Sequence, residues 1–167
     1  LKKDFFKPEL ETDITEIWVT VDLAKNVIKN LKNWMSPRKV SSSLSVLLAS
    51  SSIEYYPKGV SLIISPWNYP FQLTVSPLIS AIAAGNCAIL KPSEITPNTS
   101  GLINRMIRDL FSNNEVAVVE GGKDEAAELL DLPFNHIFYT GSSEVGKIVM
   151  SSAAKNLTSV TLELGGK

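Results

Sequence analysis

Val60-Ser61-Leu62-Ile63-Ile64-Ser65 is a short, almost wholly apolar run, and a helical stretch follows it as far as Gly85. The same unit then returns down the chain. Cys87–Lys91 precedes a helical segment at Pro97–Phe111, Val116–Val119 precedes Asp124–Leu130, His136–Thr140 precedes Ser143–Lys155, and Val160–Glu163 is a fifth run. Short apolar strands separated by helices are βαβ units, so the reading is an α/β fold with a parallel sheet and right-handed crossovers. Runs without polar alternation fit strands covered on both faces. The punctuation agrees. Thr96-Pro97 places a hydroxyl before Pro at a first helical position, and Gly85 follows Ile82-Ala83-Ala84 as a helix-ending residue. Pro77 inside the first helical stretch predicts a kink or a split.

Upstream of this repeat, residues 13–34 read as one helix. Ile14, Ile17, Val21, Ala24, Ile28 and Leu31 recur at alternating spacings of three and four, one face of a 3.6-residue period, and Trp18 and Trp34 widen it. Asp13 and Glu16 have the spacing of a capping box, and Pro37 ends the segment. In residues 38–58 the serine runs 41–43 and 50–52 flank the apolar stretch Leu44–Ala49, and Ile53, Tyr55 and Tyr56 follow. Two short strands joined by the second serine run are expected, with a serine-rich linker as the alternative. The division is therefore residues 1–37, a helical part; 38–58, a hairpin; and 59–167, the sheet domain.

Composition narrows the function. Sixteen Lys+Arg against 17 Asp+Glu leave a net charge of −1 with no basic block, which argues against nucleic acid as partner. One cysteine and one histidine exclude an internal disulfide and a cysteine-based zinc cluster, and no metal site is expected. No apolar window is long enough to span a bilayer, and the start lacks the apolar core of a secretory signal. The chain also starts without Met, which suggests a piece of a longer protein.

In a sheet of this kind ligands bind beyond the carboxyl ends of the strands. Gly141-Ser142-Ser143-Glu144-Val145-Gly146 leaves one strand and opens a helix, where backbone amides and the helix dipole favour an anion. The spacing is G-x4-G rather than the dinucleotide fingerprint. With Lys147 it approaches a P-loop, but Ile148 stands where a magnesium-binding hydroxyl is required, which disfavours a nucleoside triphosphatase. A purely structural turn remains the alternative. Lys91-Pro92-Ser93-Glu94 can bond a ribose diol from two sides, or form a surface ion pair. Pro66-Trp67-Asn68-Tyr69-Pro70 is a rigid turn that either aims the Asn68 amide at a fixed point or uses it to cap the next helix. Glu163-Leu164-Gly165-Gly166 places a carboxylate before two glycines, as a base at a pocket mouth or as a plain turn. Cys87 reads as a buried, inert thiol and His136 as a structural or solvated residue.

The order of these segments is more specific than any one of them. Pro66–Pro70, Ala84-Gly85-Asn86, Lys91–Glu94, Phe138-Tyr139-Thr140-Gly141-Ser142 with Val145-Gly146, and Glu163–Lys167 together resemble the aldehyde dehydrogenase superfamily. The wording Ile63–Gln72 looks most like its class 3 branch of dimeric enzymes for aromatic, medium-chain and fatty aldehydes. The resemblance covers residues 60–167 firmly, and 1–59 as that family's leading helices and oligomerisation hairpin. It implies a Rossmann-like domain binding NAD, with NADP possible, through Ile64, Ser65, Trp67, Lys91, Ser93, Glu94, Gly141, Ser142, Ser143, Glu144, Val145 and Gly146. It also implies that a cysteine thiolate attacks the aldehyde, that the amide of Asn68 stabilises the oxyanion, and that Glu163 activates the water that hydrolyses the thioester.

One departure is large. The family's nucleophile follows the Glu-Leu-Gly-Gly segment by some tens of residues, and Cys87 does not stand there. The expectation is an incomplete aldehyde dehydrogenase, carrying most of the cofactor domain without the nucleophile and inactive alone. The competing reading is a stand-alone nucleotide-binding remnant. When full length, the protein is expected to be a cytoplasmic homodimer, any membrane attachment residing in segments outside this chain.

Overall fold

The computed structural model describes residues 1–46 and 49–166. Two helical turns, α1 (Lys2–Phe5) and α2 (Glu9–Thr12), lead into a π-helical segment, Asp13–Trp18, and then α3 (Val19–Trp34). A hairpin of β1 (Arg38–Val40) and β2 (Ser51–Ile53) follows. The rest alternates: β3 (Val60–Ile64), α4 (Gln72–Ala83), β4 (Cys87–Lys91), α5 (Pro97–Leu110), β5 (Val116–Val118), α6 (Lys123–Leu130), β6 (His136–Gly141), α7 (Ser143–Lys155) and β7 (Ser159–Leu164).

Strands β3 to β7 form one parallel sheet in the order β5-β4-β3-β6-β7. The chain enters at the middle, winds outward to β5, returns beside β3 as β6 and ends at β7. The winding reverses between β3 and β6, and there the crevice of a doubly wound sheet opens at the carboxyl edge. Both faces are covered, as the unbroken apolar runs require. Leu62 points into a core with Leu129, Leu130, Phe134, Ile137 and Val149, while its neighbour Ile63 joins Leu78, Leu90, Ile103 and Ile107 on the other face. Gly85 takes φ 79° after α4, where the Gly85 and Asn86 amides bond Ile82 O and Ala81 O, a Schellman ending. Pro77 sits inside α4 without splitting it, contrary to the split its ring suggested. The missing amide costs one ladder bond, and the helix stays anchored by Val75 and Leu78, buried on either side of it.

Three further expectations are corrected. The hairpin exists, but Arg38 pairs with Ile53 and Val40 with Ser51, so Ser51 and Ser52 of the second run are in a strand rather than in the turn. Leu44–Val46 makes a 3₁₀ turn, and the part of the expected strand at residues 47–48 lies outside the described residues. The long helix starts at Glu9, so Asp13 is interior and no capping box forms. Its inward face overlaps the apolar stripe only in part, since Ala24 and Leu31 are half-buried and Ile17, Val21 and Ala24 line an apolar groove with Phe71, Val75 and Leu78. Glu16, Thr20 and Val27 are buried, whereas Ile14, Ile17, Val21 and Ile28 are exposed.

Asp4 explains how α5 begins. Thr96 makes no side-chain cap. Instead Asp4, from α1, accepts the Asn98 and Thr99 amides at 2.9 and 3.0 Å, the Asn98 side-chain amide at 2.9 Å and the Thr99 hydroxyl at 2.6 Å. Burial pushes the Asp4 carboxyl up, but these bonds from Thr99 and Asn98 outweigh it and hold it below its ordinary value of 3.8. A carboxyl lowered on folding contributes stability above its unfolded pKa and loses it as pH falls through the folded value. Asp4→Asn is therefore expected to lower stability by about 1–2 kcal/mol at pH 7. In urea titrations at a series of pH values, the difference from wild type should shrink only below pH 3.8.

Candidate functional site

The carboxyl edge of the sheet collects what the sequence singled out. The parallel register places Ile64 beside Lys91 and Tyr139, and Thr140 beside Glu163. The loops after β3, β4, β6 and β7 thus leave the same edge, carrying Ser65–Pro70, Pro92–Glu94, Ser142 and Gly165-Gly166.

After β3, Ser65 is buried and its hydroxyl shares a 2.5 Å hydrogen bond with Thr74. Trp67 and Asn68 are exposed. Asn68 Oδ1 accepts the Tyr69 amide at 3.1 Å, which leaves the side-chain NH₂ as the donor available to a ligand. Asn68 does not cap α4. That role belongs to Glu16, whose Oε2 accepts the Phe71 and Gln72 amides at 2.9 and 3.2 Å. Sequence reasoning missed Glu16. The available signal was a carboxylate followed directly by Ile17-Trp18-Val19, four positions before the small Thr20.

After β4, Lys91 is 3% exposed. Its ammonium donates to Gly121 O at 2.6 Å and Pro92 O at 3.0 Å and lies 3.9 Å from Glu94 Oε2. Burial pulls its pKa below the ordinary lysine value, partly countered by Glu94 and Glu125. Lys91 is thus a tie between the ends of β4 and β5 as well as a charge at the edge. Ser93 is buried, its hydroxyl accepting the Ile95 amide at 3.3 Å, while Glu94 is half exposed.

At the end of β6 the glycines pack. A Cβ at Gly146 would come within 2.9 Å of Leu164 Cδ2, and one at Gly141 would overlap the Tyr139 hydroxyl. The two glycines let α7 press on β7 and let the chain turn over Tyr139. This supports the structural-turn alternative for their spacing and leaves the helix start open to an anion. Ser142 is exposed and caps α7 through the Val145 amide at 3.3 Å. Ser143 and Glu144, also exposed, supply the first-turn amides that have no intrahelical acceptor. Val145 is exposed and Gly146 buried. Thr140 Oγ1, one residue before this loop, is buried without a hydrogen-bond partner among the described residues. Glu163 is exposed at the end of β7.

The remaining reactive groups sit at the opposite edge. Cys87 pairs in register with Val60, the first residue of β3, and is half-buried rather than buried. His136 is in register with Ser159 at the start of its strand. Its ring nitrogens lie 2.9 Å from Ser159 Oγ and 3.2 Å from Thr161 Oγ1, and burial, then the Lys58 charge, lower its pKa despite Ser159. Both are remote from Asn68 and Glu163 along the strand direction. Among the described residues no cluster of His, Cys, Asp and Glu has a metal-holding arrangement, and no helix is long and apolar enough to cross a membrane.

Replacing Lys91 by Met is expected to strand the Gly121 and Pro92 carbonyls. Each unpartnered buried acceptor costs about 1–3 kcal/mol. Because Gly121 is only half-buried, Lys91→Met should reduce unfolding free energy by about 1–3 kcal/mol, measured as a lowered urea midpoint at unchanged slope.

Comparison with known proteins agrees with this architecture. The profile of the aldehyde dehydrogenase family matches residues 5–167. The chain is 47% identical over 167 residues to aldehyde dehydrogenase family 3 member H1 of Arabidopsis thaliana, covering 100% of this chain and 34% of that protein. The substrate-bound structure of Staphylococcus aureus AldH superposes with a TM-score of 0.98 at 48% identity, over 100% of this chain and 36% of that one. The Mycobacterium tuberculosis aldehyde dehydrogenase complexed with NAD+ superposes with a TM-score of 0.84 at 28% identity, over 98% and 34%. The chain spans about a third of the length of the relatives it matches. The family uses NAD or NADP. The chain belongs to the aldehyde dehydrogenase family, is similar to family 3 members among others, and folds as the N-terminal part of such proteins.

Proposed function

We propose that this chain supplies the cofactor-binding wall and two of the reacting groups of an NAD(P)-dependent oxidation of an aldehyde to a carboxylic acid. The observation that carries it is the gathering of Asn68, the Lys91–Glu94 corner, the start of α7 and Glu163 at one edge of the sheet, around the point where the winding reverses. The donor set fits a dinucleotide. Lys91 and Glu94 suit a ribose diol, the first-turn amides of α7 suit a pyrophosphate, and the unpartnered Thr140 hydroxyl adjoins them. Ile64, Ser65 and Trp67 complete the wall beside the crevice. When bound, NAD(P)+ supplies the hydride acceptor.

The chain's own residues then have distinct tasks. The Asn68 NH₂, projecting from a loop fixed at both ends, donates to the oxygen on which negative charge grows as the aldehyde carbon becomes tetrahedral. Glu163, exposed and next to two glycines, takes a proton from the water that attacks the acyl group. The attacking thiolate comes from residues outside this chain, because Cys87 stands at the far edge of the sheet. The isolated chain accordingly binds without turnover. The hairpin serves assembly into a homodimer of the whole, cytoplasmic enzyme, and the helical segment before it belongs to the cofactor domain.

The test uses the whole enzyme. Glu163→Gln keeps the shape of the side chain but cannot accept the proton from water. A pre-steady-state burst of reduced cofactor should survive, while steady turnover falls by about 10²–10⁴-fold. Loss of burst and turnover together would remove the base assignment.

Cofactor choice follows from the same corner. The Lys91 charge is committed to two carbonyls, so Glu94 sets the local preference, and its carboxylate disfavours the 2′-phosphate of NADP. Because Glu94 is half exposed, the effect is modest, about 1 kcal/mol or less. Glu94→Gln should improve kcat/KM for NADP relative to NAD by up to about fivefold, read from initial rates with both cofactors. A ratio unmoved within twofold would place Glu94 away from the ribose.

A further inference from the structure

We infer that Phe5, Lys7 and Glu16 form a positioning unit for Asn68, a reading that rests on the oxyanion role proposed for that amide. The loop carrying Asn68 is held from one side by the N-terminal arm. The Phe5 ring meets Trp67 edge-on, with centroids 6.0 Å apart and planes at 89°. The Lys7 ammonium lies 3.8 Å from the centre of the Tyr69 ring and 2.7 Å from Glu16 Oε1. The other Glu16 oxygen accepts the Phe71 and Gln72 amides. The residue before Asn68, the residue after it and the start of the following helix are thus each gripped by a different arm residue, and Asn68 itself is left exposed between them.

This arrangement does more than fill space. The Lys7 and Glu16 side chains are 3% and 0% exposed. A buried ion pair is costly to form and is weak evidence of a stabilising role. An apolar pair would fill the same volume, but it could not bind two backbone amides and an aromatic face at once. The pair's specific product is a fixed direction for residues 67–72, and that direction aims the Asn68 donor. Thr74 reinforces it from the other side, donating to Pro70 O at 2.6 Å. None of these bonds uses the Asn68 NH₂.

The test is a double-mutant cycle in the whole enzyme, combined with hydrogen exchange. Glu16→Gln removes the charge and keeps the volume. It is expected to lower kcat about 10- to 100-fold through misplacement of the donor, with KM for NAD changed less than about twofold. In an Asn68→Ala background the same substitution should cost less than about twofold more, because the group it positions is gone. Amide exchange at Phe71 and Gln72 should quicken about tenfold. Phe5→Leu, which leaves the buried charges intact, should repeat the coupling with a smaller loss, so poor folding of Glu16→Gln does not end the experiment. Losses that multiply in the double variant, or unchanged exchange at Phe71 and Gln72, overturn the positioning role while leaving Asn68 as the oxyanion donor. An Asn68→Ala enzyme with full kcat overturns the oxyanion reading, and the positioning proposal with it.

Discussion

The Glu16 carboxylate is the constraint on which the carboxyl edge of the sheet depends. A fully buried charge needs partners for each oxygen, and Glu16 finds an ammonium for one and two helix-starting amides for the other. The positive end of the α4 dipole adds to this. The consequence reaches in two directions. Inward, α4 and the loop before it are fixed to the sheet. Outward, the long helix must turn its Glu16–Thr20–Val27 face to the protein. The π-helical segment at Asp13–Trp18 changes the helix phase where Glu16 sits. Asp4 repeats the device at α5, so two carboxylates from the first sixteen residues start two of the helices that cover one face of the sheet.

That arrangement marks where the sequence was legible and where it was not. The inner parallel strands were readable because a strand covered on both faces carries a short apolar run, whereas β7 alternates polar and apolar residues and is half-buried to exposed. Cys87–Lys91 and Ser143–Lys155 were located to the residue. The long helix was readable as a helix from its period, but not in its orientation. Periodicity reports which residues share a face, not which face is buried. Here the polar Glu16 is inside because Lys7 and the Phe71 and Gln72 amides satisfy it, and those partners lie nine and 55 or more residues away. The hairpin was misplaced for a related reason. Its strands are mostly exposed, so register was set by backbone pairing rather than by a buried face.

The candidate site was legible as a set of loops and only partly as a set of roles. Parallel topology guarantees that residues following the strands share an edge, so Asn68, Glu94, Ser142 and Glu163 were assembled by counting alone. What counting could not supply is the second use of each residue. Gly141 and Gly146 leave room for the Tyr139 hydroxyl and the Leu164 side chain whether or not an anion approaches. Lys91 bridges two backbone carbonyls before it meets any ligand. Residues at such an edge answer to packing and to chemistry together, and sequence spacing records the sum.

The same polarity settles the place of Cys87. A parallel sheet has two unlike edges, one where strands enter and one where they leave. The entering edge is finished with polar side chains that complete the backbone. Asn86 accepts the Gly59 amide, Asn135 accepts the Val60 amide, and His136 meets the hydroxyls of Ser159 and Thr161. The two asparagines close the amides that lead into β3, and the His136 ring ties the start of β6 to β7 through side-chain hydroxyls. Cys87 belongs to this closed edge, and a thiol there is separated from Asn68 by the length of β3. The leaving edge is finished differently, with exposed Asn68, Glu94 and Glu163 and with the open first turn of α7. An edge whose polar groups bond one another is structural, whereas an edge whose polar groups remain unbonded toward solvent is where a ligand finds donors and acceptors. On that criterion the groups open to a ligand lie at one end of the sheet, where the N-terminal arm meets Trp67 and Tyr69 on either side of Asn68.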